Sequence, residues 1–473
     1  MIVRRFFEPA IAQSSYLVGC SAAGKAIVFD PNRDVDQYVR AAADAGLRIA
    51  YVTETHIHAD FVSGARELAK RTGATLLLSD EGDADWKYAF ADEGRLVRHG
   101  DAVTVGNVRV DILHTPGHTP EHLTFLITDG AVADVPMAAV TGDFVFCGDV
   151  GRPDLLERAA NMAGTMEKGA RVLFRSLEQF KRQEDWLQIW PGHGAGSACG
   201  KGISAVPHST LGYERRFNWA FKVGGEQEFV SSVLAGQPEP PKYFATMKRV
   251  NKEGPPLLGG FHVPPRMDDA ALPALVAGGA TVVDARPAAE HAAGFVPGTL
   301  NIPLNASFVT WAGWLVPYDV DLYLVLPEGA ESRLEEVARA LALIGLDRIA
   351  GYFGAGAVAA WARQTSQPLG TTESVTAPAL VAELHGEAPP VVVDVRSQAE
   401  WNDGRIDGAV HIPLGYLADR LAEVPRDRRV VVQCAAGARS AIGCSVLARA
   451  GYTNMVNLEG GFDAVRQLQS PRA

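Results

Sequence analysis

The feature that most restricts the fold of this chain is a series of apolar runs, each ending on a side chain that can bind a metal. IAYVTE leads into Thr55-His56-Ile57-His58-Ala59-Asp60-Phe61, and VRVDILH leads into Thr115-Pro116-Gly117-His118-Thr119. MAAV leads into Thr141-Gly142-Asp143, and WLQIW into Pro191-Gly192-His193-Gly194. Short apolar runs bounded by glycine and proline read as buried strands, while the segments from Asp34 to Ala45 and from Phe61 to Arg71 carry helical spacing. A layered α/β unit is expected, delivering polar ligands from strand ends to one edge of its sheets. A lone histidine is usually structural, but this ordered series points to a metal centre.

The second half repeats itself. DARPAAEHAAGFVPGTLNIP from Asp284 and DVRSQAEWNDGRIDGAVHIP from Asp394 align without a gap at Asp, Arg, Glu, both Gly, Ile and Pro, which implies two copies of one α/β unit. Each copy later carries an apolar strand, a helix and a glycine-rich closing motif, GYFGAG near Gly351 and LEGGF near Leu458. Between Gly236 and Arg266 lie GQPEPP, EGPPLLGG and PPR, which cannot sustain helix or central strand and mark a first linker; SQPLGTTESVTAP is a second. Three domains are expected over 1–240, 255–366 and 373–473, in keeping with the 473-residue length at roughly 150 residues per domain.

A formal net charge of -11, with no basic stripe to offset it, excludes nucleic acid as a natural partner. MIVRRFFEPA has no apolar core or cleavage site of a leader, and no uncharged run reaches membrane length, so a cytoplasmic protein without a membrane partner is expected. The five cysteines, at 20, 147, 199, 434 and 444, are too few to staple the chain and are read one by one.

The strand Arg429-Val430-Val431-Val432-Gln433 runs into Cys434-Ala435-Ala436-Gly437-Ala438-Arg439-Ser440 before an alanine-rich helix. At a helix N-terminus, unsatisfied N–H groups and the positive dipole end favour a thiolate and can cradle a sulfur adduct. Gly437 allows the tight turn and Arg439 adds positive charge. In the earlier copy LYLVL leads into Pro327-Glu328-Gly329-Ala330-Glu331-Ser332, placing Leu326 where Cys434 stands and Glu331 where Arg439 stands. That copy is expected to be catalytically dead, a spacer or an oligomerisation surface.

HxHxD, PGH, GD and PGH resemble the motifs of the metallo-β-lactamase superfamily, which implies an αββα sandwich for the first half. In hydrolases of that superfamily a further histidine follows HxHxD and holds a second metal, and here Phe61 stands in its place. The resemblance narrows to the persulfide dioxygenases, and it implies one Fe(II) per domain on His56, His118 and Asp143, the facial triad of non-haem iron oxygenases. His58, Asp60 and His193 then orient ligands or water, or complete a zinc site, zinc being a ready substitute in recombinant or crystalline material. His114 and His122 read as helper or core histidines. Gly151-Arg152-Pro153-Asp154 resembles a GRxD segment whose arginine holds the thiol substrate, the alternative being an Arg152–Asp154 surface pair. Cys199, six residues past His193, is a candidate sulfur relay.

The Cys434 loop, with DVR and GAVHIP upstream, resembles the rhodanese active site; four residues separate Cys434 from Arg439, one fewer than in related phosphatases. The rhodanese resemblance implies two α/β domains with parallel sheets, only the last of them active. Together the resemblances imply oxidation of a low-molecular-weight thiol persulfide by O2 to sulfite, coupled to sulfur transfer that yields thiosulfate or persulfide, in a dimer or tetramer of identical chains. A dinuclear zinc thioesterase resembling glyoxalase II, or a sulfide-responsive sensor built on Cys434, are the competing expectations.

Overall fold

The structure is a computed structural model that describes residues 1–155 and 164–469. It forms two compact units, Met1–Phe261 with Ala342–Gly345, and His262–Leu341 with Leu346–Ala473.

The first unit is built on two six-stranded sheets. One takes Ile2–Glu8, Gln13–Cys20, Lys25–Phe29, Arg48–Thr53, Thr75–Ser79 and Arg95–Val97 in chain order, antiparallel at first and parallel from Lys25–Phe29 onward. The other runs Ser209–Thr210, Gln188–Pro191, Ala138–Gly142, Leu123–Asp129, Val108–His114, Ala102–Val105. The sheets pack face to face, because Val18, Ile27, Phe29 and Leu77 of the first meet Val110, Ile112, Phe125 and Val140 of the second in one core cluster. Burying a side chain such as Phe29 or Phe125 contributes about 1.5–3 kcal/mol.

Helices cover the outer faces. Val35–Asp44 buries Val35, Tyr38 and Ala42, one helical face, against the first sheet. Thr165–Phe180 buries Leu173, Leu177 and Phe180 against the second. Central strands therefore lose both faces to core, which is why AIVF and TLLLS read as continuous apolar runs rather than alternating ones.

One stretch departs from the sequence expectation. Tyr243–Glu253 is a helix within the segment expected to be a linker. The prolines of GQPEPP and EGPPLLGG lie outside it and only set its ends. Its buried face carries Tyr243, Phe244, Met247 and Asn251, and the Asn251 amide donates to the carbonyls of His58 and Phe61 at 2.8 and 2.7 Å. A helix in the supposed linker thus clamps the histidine loop.

The second unit holds two parallel sheets: Leu300–Asn301, Thr281–Asp284, Leu322–Val325, Ile349–Phe353; and Glu373–Val375, Met455–Leu458, Val430–Gln433, Val391–Asp394, Val410–His411. Their shared motif has a structural reason. Arg286 grips Asp284 with Nε at 2.9 Å and Nη2 at 2.6 Å, and Nη2 also reaches the Gly294 carbonyl at 3.0 Å. Arg396 repeats this with Asp394 at 3.0 and 2.7 Å and with Gly404 at 2.7 Å. Both pairs are buried, so the repeated Asp, Arg and first Gly hold the strand end to the following helix. Among the described residues no helix is long and apolar enough to cross a membrane.

Removing one partner of such a pair leaves a lone buried charge, at a cost of about 3–5 kcal/mol. Asp394→Ala should lower the unfolding free energy of the full chain by that order in urea titration, whereas Asp403→Ala, at the 75% exposed partner of Arg466, should change it by less than about 1 kcal/mol.

Candidate metal centre and cysteine loop

The ligand loops leave both sheets at one edge. Thr55, just past the strand Arg48–Thr53, donates its N–H and hydroxyl to the two oxygens of Asp30 at 2.6 and 2.9 Å, and its hydroxyl lies 3.0 Å from His56 Nδ1. His118 is aimed by its Nδ1, 2.9 Å from the Arg152 carbonyl. Asp143 follows Ala138–Gly142, where Gly142 has φ of +49° and a Cβ would lie 2.3 Å from the Thr55 hydroxyl; only glycine fits this crossing.

His56, His118 and Asp143 present ligand atoms that all lie within 4.8 Å of one another. Asp143 Oδ2 is 3.6 Å from His118 Nε2 and 4.0 Å from His56 Nε2, while Oδ1 is 3.4 Å from His193 Nε2. Both oxygens are buried and accept no hydrogen bond. An ionised carboxylate in that position requires a cation. Burial, reinforced by neighbouring imidazoles, holds His56 well below the usual histidine range and lowers His118 as well, so both rings are neutral and free to coordinate. Two neutral imidazoles and one open carboxylate fit a single divalent ion.

Asp60, His193 and Cys199 form a second group within 4.8 Å, with His193 Nε2 3.1 Å from Asp60 Oδ2. Burial disfavours the charged ring of His193, but Asp143 and Asp60 outweigh it and raise the group well above its ordinary value. His58 turns away from this group: its Nε2 lies 3.1 Å from Asp30 Oδ1, and Asp30 overcomes burial to raise it to about 9. Phe61 is fully buried with its ring 4.4 Å from that of His58, so an apolar ring fills the space beside HxHxD. His122 is buried and its Nδ1 lies 2.9 Å from the Thr115 hydroxyl, a core role; His114 bonds to the Pro120 carbonyl at 2.7 Å.

One expectation needs correction. The Arg152–Asp154 pair does not lie on the surface: Arg152 is fully buried, bonds Asp154 with Nε and Nη2 at 2.8 and 2.7 Å, and reaches the Ala198 carbonyl with Nη1 at 3.1 Å. It ties the loop before Cys199 to the His118 support. Cys199 itself is buried beside His193, and burial pushes its thiol up to about 12.

Two features escaped the sequence reading. Asp30, which orders both Thr55 and His58, is a non-glycine residue at φ +48°. Lys248, on the unexpected helix, lies 3.8 Å above the ring of Trp86, and both line a cavity of about 20 Å³ that also touches His118 and Phe244. No local signal in the sequence connects these positions to the histidine loops.

In the second unit, Gly437 has φ of +96° and caps the helix Ala438–Arg449. Its N–H donates to Cys434 Sγ at 3.1 Å, and the Ser440 hydroxyl lies 3.4 Å from the same sulfur. Arg439 forks onto Glu400, Nη1 at 2.8 Å, and this hydrogen-bonded pair holds the Glu400 carboxyl down to about 2. Glu400 is the glutamate of the repeated motif and also closes a capping box with Ser397. The middle copy keeps the strand and the turn, with Gly329 at φ +74°, but has Leu326 fully buried at the cysteine position. Cys20, Cys147 and Cys444 are buried free thiols.

Residues 9–193 match the metallo-beta-lactamase superfamily and residues 377–468 the rhodanese-like domain. A metallo-β-lactamase structure from Staphylococcus aureus subsp. aureus COL is 40% identical, covers 75% of this chain and 98% of its own, and has a TM-score of 0.66. The chain belongs to the metallo-β-lactamase superfamily. More particularly, it is a fusion in which a metallo-β-lactamase domain is followed by a C-terminal rhodanese-like domain. The persulfide dioxygenase ETHE1 of Bos taurus is 27% identical over 164 residues, 34% of this chain and 59% of that protein. A sulfurtransferase of Allochromatium vinosum is 40% identical over 74 residues, 16% of this chain and 69% of that protein. The chain spans about 60% of the length of the first curated metallo-β-lactamase relatives it matches.

Asp143→Ala removes the carboxylate that both imidazoles face and should weaken metal retention by at least about tenfold, read by elemental analysis after dialysis against a chelator. Cys199→Ser should leave retention within about twofold if the first group alone holds the ion.

Proposed function

We propose that the first domain is a mononuclear Fe(II) persulfide dioxygenase and that the Cys434 loop is a sulfurtransferase acting on the same sulfur pool. The observation that carries this reading is the buried Asp143 carboxylate, unbonded and facing His56 and His118, together with a buried Phe61 ring against His58 where a second ion would need a ligand. Bound Fe(II) would supply redox chemistry and open positions for dioxygen and a substrate sulfur. The chain's own contribution is to hold three ligands at one edge, exclude water with Trp86 and Phe244, and set the His193–Asp60 pair where a proton can be held beside the reacting sulfur. In the balanced reaction the outer sulfur takes two oxygen atoms from O2 and one from water, leaves as sulfite, and frees the thiol and two protons.

Cys434 would carry the sulfane sulfur, with the Gly437 N–H and the Ser440 hydroxyl as donors to it. Placing both activities on one chain raises the effective concentration of a reactive intermediate. The Asp60, His193 and Cys199 group favours a second reading, a dinuclear zinc thioesterase. Phe61 opposes it.

Protein from iron-replete cells should hold one iron per chain and consume O2 with glutathione persulfide, forming sulfite in equal amount. Two zinc ions per chain, thioester hydrolysis and no persulfide-dependent O2 uptake would establish the thioesterase instead. Cys434→Ser should abolish sulfur transfer to cyanide and keep O2 uptake. A stable Cys434 persulfide that passes to no acceptor would mark a sensor rather than a transferase.

A further inference from the structure

In the first unit, a cavity of about 720 Å³ lies at the edge of the second sheet, against the strand Ser209–Thr210 and the helix Leu211–Phe217. Glu214 of that helix lines it and is 1% exposed. Its Oε2 accepts from the Gly148 N–H at 2.8 Å and from the Asn218 amide at 2.9 Å. Gly148 and Asn218 line the cavity too, so the carboxylate head lies in its wall. Glu214 Oε1 is buried and has no hydrogen-bond partner among the described residues. Tyr213 and Phe217 flank Glu214 along the helix and also line the cavity, with ring centres 4.7 Å apart. They are 58% and 61% exposed, which is far more than aromatic side chains keep in a packed core.

Two deficits meet at this helix. A buried carboxylate oxygen without a donor costs about 1–3 kcal/mol. Aromatic rings left in water forgo the gain of burial. A ligand that answers both carries a donor and an apolar body. The donor is a cation for an electrostatic reason: among the described residues that line the cavity Glu214 is the one carboxylate, none is lysine or arginine, and the chain has a net charge of -11. The faces of the two rings attract a cation as well. An organic anion would be desolvated beside Glu214 without a partner. A bare divalent ion would leave the rings in water, and it asks for about six oxygen ligands. The volume falls within the roughly 300–1,000 Å³ of small-molecule sites.

We propose that this cavity binds an organic ammonium ion with an aromatic or apolar body, the ammonium donating to Glu214 Oε1 and the body lying on Tyr213 and Phe217. The site is separate from the metal centre and from the cysteine loop, since none of His56, His118, Asp143 and Cys434 lines it. It therefore stands or falls independently of the persulfide chemistry.

The test is a calorimetric titration of the full-length chain in phosphate buffer free of Tris and other amines. The probes are tryptamine, its neutral analogue tryptophol and its anionic analogue indole-3-propionate. Tryptamine should bind with a Kd below about 1 mM, and the two analogues should each bind at least about tenfold more weakly. Glu214→Gln, which removes the charge and keeps an oxygen for the Gly148 N–H, should bring tryptamine down to the level of tryptophol. Phe217→Ala, at an exposed position whose loss the fold tolerates, should weaken tryptamine by at least about threefold. Should Glu214→Gln fail to fold, the analogue series and Phe217→Ala decide the matter by themselves. Equal affinity for all three probes, no uptake of tryptamine, or affinity unchanged in the folded variants would each overturn the proposal. No uptake by an oligomer that Phe217→Ala dissociates would assign the two rings to a second copy of the chain instead.

Discussion

Asp143 is a fully buried carboxylate whose two oxygens accept no hydrogen bond and face the rings of His56, His118 and His193. A buried carboxylate without hydrogen bonds costs several kcal/mol, and among the described residues no amide or hydroxyl offsets it; the His193 ring, whose pKa Asp143 and Asp60 raise, faces it at 3.4 Å. What the surrounding protein supplies is positioning. Thr55 and Asp30 fix His56, the Arg152 carbonyl fixes His118, and Gly142 lets the aspartate loop pass the histidine loop. Because His56 comes from one sheet and His118, Asp143 and His193 come from the other, the ligand set exists only when the sheets are packed. Binding a cation there is coupled to the tertiary fold itself.

The parts of this arrangement visible in the sequence were those written locally. Doubly buried strands show as unbroken apolar runs, and the ligands stand directly at their ends, so the metal group could be read from spacing and residue type. Burial of polar groups is not local information. Arg152 and Asp154 look like an exposed pair until the pair is seen to be buried, with the Ala198 carbonyl accepting from the guanidinium. The Tyr243–Glu253 helix was hidden by prolines that flank it, and with it the contributions of Asn251 and Lys248. Asp30 could not have been found, since nothing in FDPN announces a left-handed aspartate that bonds two residues more than twenty positions away.

The repeat shows how scaffold and chemistry separate. Both copies keep the Asp–Arg pair of the clasp, where losing either side chain would leave a buried charge unpaired. The glutamate of the same motif has two fates. Glu400 receives Arg439, whereas in Glu290's copy the position equivalent to Arg439 is Glu331, an acid that cannot pair with it. Shared residues in the aligned motif therefore mix two kinds of constraint, and only the loop that each copy carries tells them apart.

The two cysteines nearest to chemistry differ in what they could carry. A persulfide places negative charge on its outer sulfur, and a resting site needs donors directed at it. Cys434 sits at the start of a helix with the Gly437 N–H at 3.1 Å and the Ser440 hydroxyl at 3.4 Å, and Arg439 of the same loop forks onto Glu400. Cys199 lies between Asp60, Asp143 and His193, where burial and the two carboxylates push its thiol up to about 12. A second anion there would stand beside two carboxylates that share one imidazole, His193. Under the proposed function, sulfur at rest would sit on Cys434, and Cys199 would meet a substrate only after a cation had balanced the carboxylates around it.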